Sequence, residues 1–492
     1  MRTFKCITIL VWLLCVNFCH AQSTNDWKIE AWEKVEQVLA PALITDDTLK
    51  YKLFDDSRLG SHNAASFYYR ASLNWATLPK SHRVKLYDRR EAWFDAPISE
   101  LPLEEVEQWL EETSSVFKDL NKGLTGVCDW GLVNGELTFV EQAEMGFAAE
   151  QAVLSEFGDI LRLRARLQVA RSEFDEAIGS LADCIKLARD AGKLPAPFFG
   201  ATMTTAIAFP AVQMVNEMSM KPGSPNLVSA LQTLPRPISD YLSEIKLQHQ
   251  IVGRSFLLLD NPEQSDRTDS QWRTVFLDEI EQLDQANGWN IEREYPNSEE
   301  ELTNTRKQRL GILFAKLYPV AKRQLIEAGW NAKELNSMPV GKVIAIQTKR
   351  LWDAHVQLLN GLEDLPASKV HDRAMKLENS DLIYGEMHGC FPLNLIVFTQ
   401  ENLLRSRWQL IEISMNLQLL RDHLAKNGSF PTAEQFAKLG PLPDPDTGKP
   451  FQYRRLENGD AQLQSSPVFY EGASDRSGYV RVRYTIKKAG QK

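Results

Sequence analysis

The sequence predicts a mainly α fold: antiparallel helix pairs, partly tetratricopeptide-like, with a small C-terminal antiparallel β unit. Three observations predict it. Apolar residues recur at three- and four-residue steps along most of the chain. Residues 154–191 carry a two-helix pattern with small residues, Ala165 and Ala177, where two helices would cross. After Gly428 the helical pattern gives way to proline-rich turns and short alternating runs.

The chain has 492 residues, 43% hydrophobic and 25% charged, which is ample for a buried core and for two to four domains. Its segments read as a signal peptide over 1–21, an N-terminal helical region over 22–240, a second helical region over 241–427 and the β-containing unit over 428–492.

Arg2 and Lys5 supply a basic start, Cys6 to Phe18 is a largely apolar run, and Cys19-His20-Ala21 suits signal peptidase. Cleavage after Ala21 is expected, with export to the periplasm, cell envelope or exterior. The apolar run is shorter than the roughly 18–20 residues that span a bilayer, and no later window is apolar enough. Loss of the two cations takes the formal charge from -9 to -11. That charge, with no basic stripe, argues against nucleic-acid binding. Three cysteines remain, Cys128, Cys184 and Cys390, so at most one disulfide can form.

Leu103, Val106, Leu110, Phe117, Leu120 and Leu124 mark a helical face with one gap at Thr113. In the 154–191 hairpin, Arg164-Ala165-Arg166-Leu167 lies on one helix and Phe174 to Ile178 opens the next, with Leu181, Cys184, Ile185 and Ala188 behind it. Phe174 would wedge at the turn, as in one tetratricopeptide repeat; no clean second copy follows. Lys221 to Pro225 and Leu234 to Pro237 bracket a segment that cannot be one regular helix.

Asp260 to Gln271 and Asn297 to Thr305 are polar and read as loops. Pro319 is expected to open a helix that Gly329 closes, and Ser337 to cap a third with Val343, Ile346, Arg350, Leu351, Ala354 and Leu358 on one face. A longer helix runs from about Leu395 to Lys426 and ends at Asn427-Gly428. Phe451 to Arg455, Ala461 to Gln464 and Gly478 to Ile486 read as strands, the first two joined by a hairpin at Glu457 to Asp460.

Asn63-Ala64-Ala65, Tyr68-Tyr69-Arg70-Ala71 and Cys128-Asp129-Trp130 resemble an uncharacterised family of exported proteins from planctomycete-type bacteria. Arg164 to Leu167, Ala177-Ile178, Ser224 to Leu227, Ala230-Leu231, Leu234 to Pro237 and Ser337 to Val340 continue the resemblance. Phe430-Pro431 through Asp444 to Tyr453 is similar to the C-terminal part of type II secretion pseudopilins, although the pseudopilin processing site and its long apolar helix are absent. The first resemblance implies compartment and fold, and carries over no catalytic residue, cofactor or metal.

The chemistry is correspondingly sparse. Glu386, His388 and Cys390 form the compact cluster of ligand types, one ligand short of a structural zinc site. Asp444, Asp446 and Asp460 could present oxygens to calcium, but Asp-Pro-Asp also starts turns without any ion. Ser115/Lys118 and Ser243/Lys246 match Ser-x-x-Lys without the companion motifs of serine acyl enzymes. No phosphate or dinucleotide cradle stands in the sequence. Two readings remain. The first is a non-catalytic protein-protein interaction or scaffolding protein of the cell envelope, with a protein or peptide partner. The alternative is a secreted carbohydrate-active hydrolase or lyase on a helical toroid, with tryptophans lining a sugar groove.

Overall fold

The computed structural model describes residues 32–43, 48–130, 150–194, 197–235, 238, 256–286, 299–360, 393–444, 448–465 and 481–489. The signal segment, Ser243 to Lys246, Glu386 to Cys390 and Asp446 lie outside them. The chain enters on β1 (Trp32–Leu39) and β2 (Gly60–Asn63), then α1 (Ala64–Thr77) and α2 (Lys80–Asp88). Asn63 starts α1 by accepting from the Ala65 N–H, an N-cap bond that satisfies one of the orphan donors of the first turn.

The face read over 103–124 is two helices, α3 (Leu103–Glu112) and α4 (Ser114–Leu124). The gap at Thr113 is the break. Thr113 is fully buried, and its hydroxyl donates to the Leu110 carbonyl at 2.7 Å, competing with the ladder that would continue the helix. β3 (Gly126–Val127) pairs parallel with β2.

The hairpin follows as α5 (Glu150–Ala170) and α6 (Phe174–Gly192), turning at Ser172 with φ 63°. Ala165 and Ala177 are both fully buried, as the spacing predicts, and Phe174 is half-buried against the core. Arg164 reaches across to Asp183 at 2.7 Å and to the Ser180 hydroxyl at 3.0 Å. α7 (Pro197–Met218) packs on both helices. Gly158 permits that contact, since a Cβ there would stand 2.9 Å from Ile207 side-chain atoms. Ala177→Leu is expected to overpack this layer and lower stability by roughly 1–3 kcal/mol; an unchanged urea midpoint would place Ala177 at a yielding site. After α7 comes the short α8 (Val228–Gln232), in the segment bracketed by prolines.

The two segments read as loops are structured. Pro262 is buried in a 3-10 turn, α9 (Asp269–Ala286) begins inside the first, and α10 (Glu299–Glu327) begins inside the second. In the first, the polar Ser270 and Gln271 are the exposed side of the opening turn of α9. Pro319 does not open a helix; it lies within α10. Leu310, Leu317, Ala321 and Leu325 are buried on one stripe of α10, and this packing carries the helix through a residue that costs an isolated helix about 3 kcal/mol. Gly329, at φ 96°, does end it.

Ser337 is the last residue of α11 (Ala332–Ser337), not the cap of the next helix, and its hydroxyl donates to the Glu334 carbonyl at 2.7 Å. α12 (Val340–Asn360) starts after Pro339 and is buried from Val343 to Thr348, while Ala354, expected on its inner face, is exposed. α13 (Leu393–Asn427) is the long helix, closed by Gly428 at φ 71°. α14 (Ala433–Lys438) carries a capping box, Thr432 with Gln435.

β4 (Gln452–Arg455), β5 (Ala461–Gln464) and β6 (Arg481–Lys488) form the expected antiparallel unit. The sheet is not confined to the C-terminal segment, however. Its order is β1-β6-β5-β4, and β1 pairs parallel with β6, from Trp32 with Arg481 to Leu39 with Lys488.

Three cores result. The first runs from Tyr51 to Ile238 and takes in Ile411 and Met415. The second runs from Phe256 to Trp352. The third joins Leu39, the sheet and Ile413, Leu417, Leu420 and Leu424. α13 therefore faces the first core on one side and the sheet on the other. Among the described residues no helix is long and apolar enough to cross a membrane.

Candidate functional site

α9 and α10 each bury one face in the second core and leave a second face to solvent. On α9, Trp272, Val275, Phe276 and Ile280 are buried, while Ser270, Arg273 and Thr274 are exposed and Leu277 is half-buried. On α10, Phe314 and Tyr318 stand half-buried beside the exposed Lys307, Gly311, Ala315 and Pro319. These exposed and half-buried residues, with Leu310 and with Val340, the first residue of α12, line an open groove of about 670 Å3. Its volume falls within the roughly 300–1,000 Å3 of ligand pockets.

The floor of the groove is one ridge of α10. Lys307, Gly311, Ala315 and Pro319 stand four residues apart on it, and three of the four are small or ring-closed. Nothing lies within 4 Å of where a Cβ at Gly311 would stand. Phe314 and Tyr318 rise beside this ridge, and Phe276 meets Phe314 edge-to-face at 5.0 Å. Gly341 lets the start of α12 close on α9, since a Cβ there would come within 2.7 Å of Trp272 Cβ.

Two residues of the floor oppose the helix they sit in. An exposed helical glycine costs about 1 kcal/mol relative to alanine. Pro319 lacks the N–H that the Ala315 carbonyl would otherwise accept from, which leaves a backbone acceptor beside the groove. Both departures from helix chemistry fall on the same groove, where local rule-breaking is expected of a working surface. The charged lining residues among those described are Arg273 and Lys307, both cationic. Arg273 also reaches Asp269 at 2.8 Å, an exposed pair of small energy.

Other polar clusters hold the fold together. Asn63, Tyr68, Asp129 and Trp130 meet in space near Asp190. The Asn63 side chain donates to the Asp129 carbonyl at 2.6 Å and accepts from the Asp129 N–H at 3.1 Å. Tyr68 donates to Asp190 at 2.6 Å, Trp130 Nε1 donates to the Asp190 carbonyl at 2.9 Å, and Lys186 pairs with the Asp190 carboxylate. Cys128 lies in this cluster, and burial, with Asp190 beside it, pushes its thiol up to about 12, far from a reactive thiolate. Cys184 is fully buried with its thiol pushed up likewise. Both are free.

Glu156 accepts from Trp75 Nε1 and Tyr87 Oη, and Arg90 lies 3.6 Å from Asp159. Burial raises both carboxyls above their ordinary values, yet these partners tie α1, α2 and the turn after α2 to α5. Arg166 donates to the Phe94 carbonyl at 3.1 Å and pairs with Glu217, anchoring a π-helical strap over Glu91–Asp95.

Ser115 and Lys118 are both exposed on α4. Asp444 is fully buried within the turn it makes with Lys449, while Asp460 accepts from Asn458 at 2.8 Å in the hairpin. Among the described residues no group of His, Cys, Asp and Glu could hold a metal ion. Trp75, Trp93, Trp109 and Trp272 are fully buried, so these tryptophans fill cores instead of lining a groove. Sequence reasoning misses the groove because Pro319 reads as a helix start; kept inside the helix, with Gly311 two turns earlier, it marks the face. Comparison with protein-family models, with curated proteins and with solved structures found no match.

Proposed function

We propose that this chain is a non-catalytic protein-interaction or scaffolding protein, exported to the cell envelope, and that the α9–α10 groove docks a segment of a partner protein. One observation carries the reading: an open apolar trough whose floor retains a glycine and a proline at a cost to the helix. Aromatic walls beside a small-residue floor suit the anchor side chains that dominate protein interfaces. Export rests on the charged start, the short apolar run and Cys19-His20-Ala21. The carbohydrate-active alternative calls for clustered carboxylates under exposed tryptophans, whereas this groove is lined by two cations, Phe314 and Tyr318.

The test places a photo-crosslinking amino acid at Thr274, in the groove, and at Ser57, an exposed position far from it in sequence. Both proteins meet envelope extract, beside turnover assays on envelope and extracellular polysaccharides. A discrete adduct from position 274 and none from 57, with no turnover, is expected. Reproducible turnover of a polysaccharide, abolished by changing one acidic residue in a protein that still folds, would replace this reading with the enzymatic one.

A further inference from the structure

Resting on the docking reading above, we infer that the groove's occupant is an amphipathic helix carrying acidic residues at both ends of its apolar face. Its helical form follows from the backbone. A peptide docked by strand addition needs N–H and C=O partners along its length, and both walls of this groove are helices whose backbone groups are paired internally. The freed Ala315 carbonyl is one acceptor, suited to a single side-chain donor and not to a strand. A helix satisfies its own backbone and needs only a channel for its side chains. The floor from Lys307 to Pro319 spans 12 residues, about 18 Å, or roughly three turns of such a helix.

The charge follows from the placement of the cations. Arg306 pairs with Glu281 at 3.0 Å and Phe276 meets Phe314, so α9 and α10 run antiparallel. Lys307 therefore stands toward one end of the groove and Arg273 toward the other. Between Thr305 and Ile326, α10 carries Arg306, Lys307, Arg309, Lys316, Lys322 and Arg323 and no acidic residue. Of these, Lys307 lines the groove, and with Arg273 at the other end it complements carboxylates two to three turns apart on a docked helix. Such complementarity sets partner choice and association rate.

The experiment displays a library of 16-residue helical peptides, randomised at charged and apolar positions, against the full chain. Counter-selection uses Ala315→Trp, which fills the floor; its circular dichroism spectrum verifies folding. Enriched peptides that the filled groove rejects are expected to be net acidic, with apolar residues at i, i+3, i+4 and i+7. Lys307→Glu or Arg273→Glu should weaken them at least tenfold, and a charge-swapped peptide should recover binding to the doubly reversed variant. Enriched peptides that are neutral or basic, or charge reversals that change affinity less than twofold, would overturn the acidic occupant and leave the docking reading standing. Selection that yields no peptide sensitive to Ala315→Trp would overturn both.

Discussion

Arg421→Met is expected to lower stability by about 4 kcal/mol or more and to shift the urea midpoint accordingly, or to prevent folding. Arg421 is fully buried near the C-terminal end of α13 and faces no carboxylate partner among the described residues. Its guanidinium instead spends five donor bonds on neutral acceptors. Nε reaches the Ala40 carbonyl at 3.0 Å, Nη1 the Pro225 carbonyl at 3.0 Å and Gln418 at 2.8 Å, and Nη2 the Ser224 carbonyl at 3.1 Å and hydroxyl at 2.6 Å. Burial draws its pKa down to about 10, still well above neutrality, so it remains charged. One side chain thus ties the end of β1, the turn after α7 and the long helix. Removal strands several acceptors at roughly 1–3 kcal/mol each, in a set too close together to add simply. Arg421→Lys should fail to restore the loss, because an ammonium has three donors and lacks the planar fork.

Glu279→Gln should have the opposite sign and depend on pH. Glu279 is 3% exposed on α9, where one carboxyl oxygen accepts from the Leu258 N–H at 2.7 Å and the other has no hydrogen-bond partner among the described residues. Burial, reinforced by Asp278, pushes its pKa up to about 8, against the opposing Leu258 bond and Arg267. An acid whose folded-state pKa lies above its unfolded value holds its proton more tightly when folded. Its contribution is therefore greatest below the ordinary value of 4.5, and it falls as the pH rises towards about 8. By pH 7 the loss is on the order of 3 kcal/mol. The amide needs no proton, so Glu279→Gln should match the parent near pH 4.5 and exceed it increasingly towards pH 8. Glu156, Asp159, Asp183, Asp190 and Glu217 are raised by burial too. Only the difference between parent and variant curves isolates Glu279; parallel curves across that window would remove the effect.

What could be read from the sequence was local. The helix faces, the 154–191 hairpin with Ala165 and Ala177, the end of the long helix at Gly428 and the three C-terminal strands all follow from periodicity and turn chemistry within a few residues. The errors have non-local causes. β1 is masked by Glu33, Lys34, Glu36 and Gln37, and its partner strand lies more than 440 residues away. Pro319 breaks a helix locally, but Leu317, Ala321 and Leu325 pack on the second core and carry α10 past it. The polar runs at 260–271 and 297–305 gave no hint that α9 and α10 begin inside them. Nothing near Arg421 in sequence announces Ala40 or Ser224 as its acceptors.

The groove was illegible for the same reason. Gly311, Phe314 and Pro319 define it only once α9 lies alongside α10. Gly311→Leu tests its role most directly, measured in one preparation for both urea stability and affinity for a groove-selected peptide. The variant side chain would enter open space on an exposed helical face, so stability should hold or rise by up to about 1 kcal/mol, while peptide affinity falls at least tenfold. Unchanged affinity in a folded, equally stable variant would contradict the account, because the groove would then be a gap between two helices and not the place where a partner binds.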